Sequence, residues 1–335
     1  MPPGESLYRG VDESEGMQRE DLINGVRDTL ARSGFTVSKP LNMRSISFDV
    51  VARRDRSILL VKILTNVDAF SKDNADELKT LADAIGASML LVGERSGAGE
   101  IEEGIVYSRF NVPIVCYKTL SDLLTENVPP LIFAAPGGLY VKLDHEMLRH
   151  LRESKNISLG TLAEVAGVSR RTIQMYEQGM GAMIEAALRL EEYLDSPIVM
   201  PMDPLSYKPE GIEPKELDLG KCDPFTQEVF RVLTRVGYSI RPTHKCPFEA
   251  LTMGGDVLIL TGVGLDDSKV KEKARVVHDI STVTGKESVI FVERVRSKQS
   301  VEGTALIGRN ELKGIDESKK LRRLVVERSE CDEGH

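Results

Sequence analysis

Two adjacent arginines, Arg170 and Arg171, followed at helical spacing by Gln174 and Met175, form the cluster of this chain with the plainest chemistry. Arginine presents a planar fork of donors that fits guanine O6 and N7 or a phosphate, and glutamine can pair with an adenine edge. Such recognition needs the four side chains on one face of a rigid rod that a duplex can approach. Ile173 and Tyr176 supply the other face. With those two turned inward, helical geometry drives Arg170, Arg171, Gln174 and Met175 outward.

The elements that must hold this rod lie between Asp144 and Pro197, where the apolar spacing predicts four short helices with a helix-turn-helix at their centre. Leu162, Val165 and Ala166 form the apolar face of the helix before the rod. Gly167 stands between the two helices, where a steep turn requires positive φ. Ala163 is small because the second helix passes close to it. Ser158 and Ser169 stand at the N-cap positions, each with a hydroxyl able to satisfy an orphan amide.

With these residues in one register, the segment resembles the helix-turn-helix of the Cro and lambda-repressor type. The matching pattern is Ala163, Gly167, Val168-Ser169, Arg171-Thr172-Ile173 and Glu177. The resemblance implies base reading at Arg170, Arg171 and Met175, phosphate proximity for Ser158 and Ser169, a place for Thr172 in the DNA-facing motif, and a pair between Arg152 and Glu177. The loop after the recognition helix, GMGAMIE, departs from the family pattern in lacking basic residues.

Composition bounds the rest. The chain has 335 residues, 41% hydrophobic and 29% charged, enough for two or three cores of ordinary globular character. No run approaches a membrane span and the first residues lack a signal pattern, so a cytoplasmic protein is expected. Cys116, Cys222, Cys246 and Cys331 are far apart, and His145, His150, His244, His278 and His335 are equally scattered. Neither set suggests a metal centre or a disulfide framework, and no cofactor motif stands out. The net charge of −8 opposes non-specific coating of nucleic acid. From Val141 to Pro197 seven basic and nine acidic residues give −2. DNA binding would therefore depend on where Arg149, Arg152, Lys155, Arg170 and Arg171 sit, and on a homodimer sharing a palindromic site.

In chain order, residues 1–16 read as a disordered tail, and a first α/β domain follows at 17–127: a helix, three strands, a helix, a strand, a helix-like or irregular piece near Ile101, a strand and a closing helix. A linker at 128–140 leads to the helical domain at 141–198. A Pro-rich linker at 199–221 precedes a second α/β domain at 222–328 and a tail at 329–335. The second α/β segment repeats the first: LARSGFTV sets against LTRVGYSI, and ASMLLVGE against ESVIFVER at an offset of two hundred positions. The expected fold is a multidomain α+β chain, a central all-α reader flanked by two copies of one scaffold.

The order helix, three strands, helix, strand resembles the restriction-endonuclease-like fold, in which an Asp on one strand and an acid-x-Lys on the next hold a divalent ion. Asp49 and Lys62 occupy those places, but Leu60 stands where the second acid belongs. In the second copy the positions are Glu249, Leu260 and Gly262. One anionic ligand is too few to hold magnesium, so no catalytic residues and no metal are assigned, and the scaffolds are expected to dimerise or to bind an effector or a protein. Over its whole length the layout also resembles the archaeal family of HTH-type transcriptional regulators, which implies double-stranded DNA as the partner. The sequence supports a DNA-binding transcriptional regulator. The alternatives are a divergent magnesium-dependent nuclease using Asp49 and Lys62, or a protein-docking adaptor without DNA affinity.

Overall fold

The computed structural model describes residues 19–41, 46–210, 212, 219–264, 267–293 and 299–330. The tail expected at 1–16 and residues Cys331 and His335 lie outside the described residues, as do residues 213–218 of the second expected linker.

Helix α1 (Arg19–Arg32) buries Leu22, Val26 and Leu30 completely, the i, i+4 stripe that an amphipathic helix lays on a sheet. The sheet beneath it runs β1 (Thr36–Val37), β2 (Val50–Arg54), β3 (Ser57–Asn66), β4 (Ser88–Ser96), β7 (Val112–Val115) and β6 (Ile105–Arg109), with β5 (Gly99–Glu100) paired to β4. β1, β2 and β3 are antiparallel, whereas β3–β4 and β4–β7 are parallel. A parallel pair needs a crossover, and α2 (Lys72–Ile85) provides it between β3 and β4. Ser71 caps its start by accepting from Asn74 N at 3.2 Å, and Gly86 ends it at φ 72°. α3 (Tyr117–Ser121) closes the lobe. The piece after Ile101, expected to be helix-like or irregular, is β6.

The segment 128–140 differs from the linker the sequence suggested. It holds β8 (Ile132–Ala135) and the start of β9 (Gly138–Leu143); β8 pairs with β6 in parallel and β9 pairs back on β8. The first sheet therefore continues into the helical unit, made of α4 (His145–Ser154), α5 (Leu159–Ala166), α6 (Arg170–Tyr176) and α7 (Ile184–Leu194). Nor is that unit all-helical, because β10 (Ala182–Met183) and β11 (Val199–Met200) both pair with β9. Two-residue strands leave no period in a sequence; they exist because β9 offers them a backbone edge. Residues 201–208, expected to be linker, lie along the first lobe: Met202 N donates to Pro130 O at 2.8 Å and Met89 N to Tyr207 O at 2.9 Å.

The second lobe contains α8 (Pro224–Arg235), α9 (Asp267–Thr284), α10 (Arg309–Lys313) and α11 (Ser318–Glu330) around a sheet of six strands. Its order is β12 (Ser239–Pro242), β13 (Ala250–Gly254), β14 (Val257–Gly264), β15 (Glu287–Val292), β17 (Thr304–Gly308), β16 (Ser300–Val301). β12–β13, β13–β14 and β16–β17 are antiparallel, and β14–β15 and β15–β17 are parallel.

The two lobes pack on each other within one chain. Phe48, Leu60, Leu78 and Met89 of the first share a buried apolar cluster with Phe248, Leu251, Leu260 and Val277 of the second. Polar contacts fix the fit: Ser47 N donates to Lys245 O at 2.9 Å, and Glu77 Oε1 accepts from His244 N at 2.8 Å and Lys245 N at 2.5 Å. Among the described residues no helix is long and apolar enough to cross a membrane.

Candidate nucleic-acid interface

Leu162, Ala163 and Ala166 of α5, Ile173 and Tyr176 of α6, and Ala187 and Leu190 of α7 form one buried cluster. Ser158 accepts from Thr161 N at 3.0 Å at the head of α5, and Ser169 from Thr172 N at 3.0 Å at the head of α6. Each cap hydroxyl also meets the threonine hydroxyl of its own helix, at 2.9 and 2.8 Å. Gly167 adopts φ 70° and ψ 33° between the helices. A Cβ there would lie 2.8 Å from Arg189 Nη1, the far end of a side chain that can move aside, so it is the positive φ that requires glycine.

Burial of Ile173 and Tyr176 leaves Arg170, Arg171 and Gln174 exposed and Met175 40% exposed on the far side of α6, with neither lobe covering them. Among the described residues no hydrogen bond or ion pair engages the side chain of Arg171 or Gln174. Thr172 is half-buried beside its cap.

Arg152 and Glu177 meet. Arg152 Nε donates to Glu177 Oε1 at 2.5 Å and Nη2 to Oε2 at 3.2 Å, a bidentate pair whose carboxylate is almost wholly buried. The Glu177 hydrogen bond holds the guanidinium pKa above its ordinary value. Arg149 Nη2 donates to Glu177 O at 2.8 Å, and Lys155 Nζ to Leu194 O at 2.5 Å. Three of the cations available for phosphate are thus bonded to the protein itself. One further residue of the motif, Arg189, carried no sequence signal because its role depends on contacts across helices.

The acid and lysine of the first lobe also come together. Asp49 is 3% exposed and Lys62 5%. Asp49 accepts from Ile63 N at 2.7 Å, its Oδ2 lies 3.2 Å from Lys62 Nζ, and its Oδ1 lies 2.5 Å from Arg19 Nη2. Lys62 Nζ donates in addition to Ile46 O at 2.7 Å. Burial, the largest influence, outweighs the attraction of Asp49 and lowers the Lys62 pKa. In the second lobe Glu249 accepts from Val263 N at 2.6 Å and pairs with Lys273 Nζ at 2.6 Å. Lys273 comes from α9, and nothing in the one-dimensional pattern linked it, or Arg19, to these acids.

A divalent ion does not fit this donor set. One carboxylate, already held by two cations and an amide, offers no free anionic oxygen pair, and Leu60 supplies none. Among the described residues no group of three or more His, Cys, Asp or Glu is arranged for a metal.

Comparison with known proteins divides along the same lines. Residues 19–130 match the PD-(D/E)XK superfamily domain, and residues 148–199 match a helix-turn-helix family. A protein of Methanocella arvoryzae is 39% identical over 93% of this chain and 97% of its own length. One of Natronomonas pharaonis is 39% identical over 94% and 100%, and one of Methanosarcina mazei 38% identical over 95% and 100%. All three carry the name "Putative HTH-type transcriptional regulatory protein". No solved structure matches the chain. Identity of this order across nearly the whole of each chain shows that the protein belongs to the archaeal family of HTH-type transcriptional regulatory proteins.

Proposed function

We propose that this protein is a cytoplasmic, sequence-specific DNA-binding transcriptional regulator that acts as a homodimer. The observation that carries the reading is the exposed face of α6, with Arg170, Arg171, Gln174 and Met175 outward on a helix whose opposite face is fully packed. Two such helices would enter successive major grooves about 34 Å apart, each good bidentate arginine contributing about 1–3 kcal/mol of base discrimination. Ser158, Ser169 and Thr172 lie at the helix starts, within reach of the sugar–phosphate backbone. With a net charge of −8, affinity rests on this local face rather than on a general field.

We read the two α/β lobes, at 17–127 and 222–328, as copies of one scaffold. In support, β1-β2-β3-β4-β7-β6 and β12-β13-β14-β15-β17-β16 run in the same order and directions, and the acids sit at matching places: Asp49 accepts from Ile63 N, Glu249 from Val263 N. We assign them a structural, non-catalytic role, with any effector or protein partner acting through their surfaces. The faces they turn to each other are covered within one chain, so a homodimer contact through the lobes would use their other surfaces.

Enrichment of duplexes from a random pool, followed by sequencing, tests the reading. A recurrent motif is expected, and Arg171→Ala should weaken its binding and relax base preference. If a double Arg170→Ala, Arg171→Ala variant binds the selected site as tightly as before, the assigned reading face is wrong. The match to the nuclease superfamily sustains a second reading, a divergent metal-dependent nuclease. Incubation with plasmid and magnesium or manganese separates the two: the regulator leaves the plasmid intact. Failure to enrich any duplex, with a protein co-purifying, would favour the docking adaptor.

A further inference from the structure

The two sheets differ in what covers one matching place. The pairs Arg54–Ser57 and Gly254–Val257 close equivalent hairpins, so Leu59 and Ile259 each stand two residues beyond the closing pair. Opposite Leu59 lies Ser88, at the start of β4; opposite Ile259 lies Glu287, at the start of β15. In the second lobe α11 covers this place: Tyr238 Oη donates to Ser318 O at 3.1 Å, and Arg322 Nε lies 3.4 Å from Glu287 Oε1. In the first lobe the chain beyond α3 goes on to β8, and the same place opens on a cavity of about 540 Å³.

Phe35, Leu59, Leu124 and Leu205 give the cavity an apolar lining. Ser88 stands among them, 6% exposed, on the sheet face of Leu90 and Val92, and among the described residues no hydrogen bond engages its hydroxyl. The rim carries three cations, Arg54, Arg56 and Lys208, against two acids, Asp55 and Asp203. Arg54 lies over Phe35 at 4.4 Å and donates to Ser33 O at 3.1 Å; Lys208 donates to Gly86 O at 2.8 Å. Asp203 accepts from Leu205 N at 3.0 Å. Among the described residues the side chains of Asp55 and Arg56 engage no hydrogen bond or ion pair. In the second lobe the places of Arg54, Asp55 and Arg56 are held by Gly254, Gly255 and Asp256, so the arginines accompany the open copy alone. One net positive charge at the rim suits a monoanion, because a second negative charge would meet Asp55 and Asp203. Three residues of strand separate Arg56 from Leu59, beside Ser88, which puts the buried hydroxyl about 10 Å below the rim.

We propose that this cavity binds a small monocarboxylic acid, apolar along its middle and polar at its far end: Arg56 takes the carboxylate, Phe35, Leu59 and Leu205 take the body, and Ser88 takes the end group. Leu205 and Lys208 belong to residues 201–208, which run on directly from β11 of the reader, so the ligand and the reader share one strap. That the ligand acts as an effector rests on the regulator reading above; its binding does not.

The test titrates the full chain, labelled at leucine methyls, with 8-hydroxyoctanoate, octanoate and octane-1,8-diol. 8-Hydroxyoctanoate should shift the methyls of Leu59, Leu124 and Leu205 saturably, with a Kd of about 1 mM or tighter. Arg56→Gln should weaken it about fivefold and leave the diol unaffected. Ser88→Ala should also weaken it about fivefold, to the level of octanoate. The site is overturned if those methyls show no saturable shift, if the diol binds as tightly as the acid, or if either variant holds the acid as tightly as the parent chain. With the enriched duplex, saturating 8-hydroxyoctanoate should change DNA affinity about fivefold or more. Unchanged DNA affinity with the acid bound overturns the link to the reader. A chain that takes the acid and binds no duplex overturns the regulator reading and upholds the site.

Discussion

Replacing Asp49 with Asn tests whether the nuclease-like lobe has become a scaffold. The change keeps the shape of the side chain and removes the charge that faces Lys62 at 3.2 Å and Arg19 at 2.5 Å. Arg19 is exposed enough to recover water, but Lys62 is buried and keeps only neutral acceptors, Ile46 O at 2.7 Å foremost, with no anion beside it. Orphaning a buried charge costs about 3–5 kcal/mol, and proton loss from Lys62 holds the expected cost near the lower figure, about 3 kcal/mol. The Lys62 pKa already lies below its ordinary 10.5, and the two contributions from Asp49 that raise it would vanish. In the variant the unfolded chain then binds more protons than the folded one between the depressed folded value and about 10.5. Stability should therefore climb with pH across that window, by up to about 1.4 kcal/mol per unit, and be lost as pH falls through the folded value. Urea unfolding followed by circular dichroism at pH 7 to 9.5 measures both effects. Adding Lys62→Met should restore much of the loss, with a coupling energy of at least about 2 kcal/mol. A loss below about 0.5 kcal/mol together with a flat pH profile would refute the buried ion pair as a structural support.

Three further changes follow from the same geometry. Gly167→Ala places a side chain at φ 70° and 2.8 Å from Arg189 Nη1, and should destabilise the helical unit by about 1–2 kcal/mol in urea unfolding. Arg152→Met leaves the buried Glu177 carboxylate with Arg149 at 3.9 Å as its nearest remaining cation, and should cost about 2–3 kcal/mol, with a matching coupling energy in a cycle with Glu177→Gln. Glu77→Ala removes the acceptor of His244 N and Lys245 N between the lobes, so hydrogen exchange at those amides should accelerate by at least tenfold, for a loss of about 1.5–3 kcal/mol.

Much of the reader was legible in the sequence because its signals are local. A glycine between two periodic apolar stripes, two cap serines and the spacing of Ile173 and Tyr176 determine a turn and an inward face within about twenty residues, where helical geometry leaves few options. The strand 182–183 left no signal because its partner β9 is distant and a short strand exists only by virtue of the edge it joins, whereas β8 and β9 pair locally across Pro136 and Gly137 but are too short to show a clear period. The pairing of Arg152 with Glu177 came from family resemblance; no spacing rule connects residues on separate helices.

The turn at Gly167 and the outward set Arg170, Arg171, Gln174 and Met175 were determined by the sequence alone, since covalent neighbours and helical period suffice for them. Tertiary structure decided the remainder: that the sheet of the first lobe runs on through β8 and β9 into the reader, that the lobes share one core, and that Arg19 and Lys273 hold the acids. Each of these depends on which buried groups find partners across the chain, and a buried charge or amide is satisfied by whatever packing brings near it, at any distance in sequence.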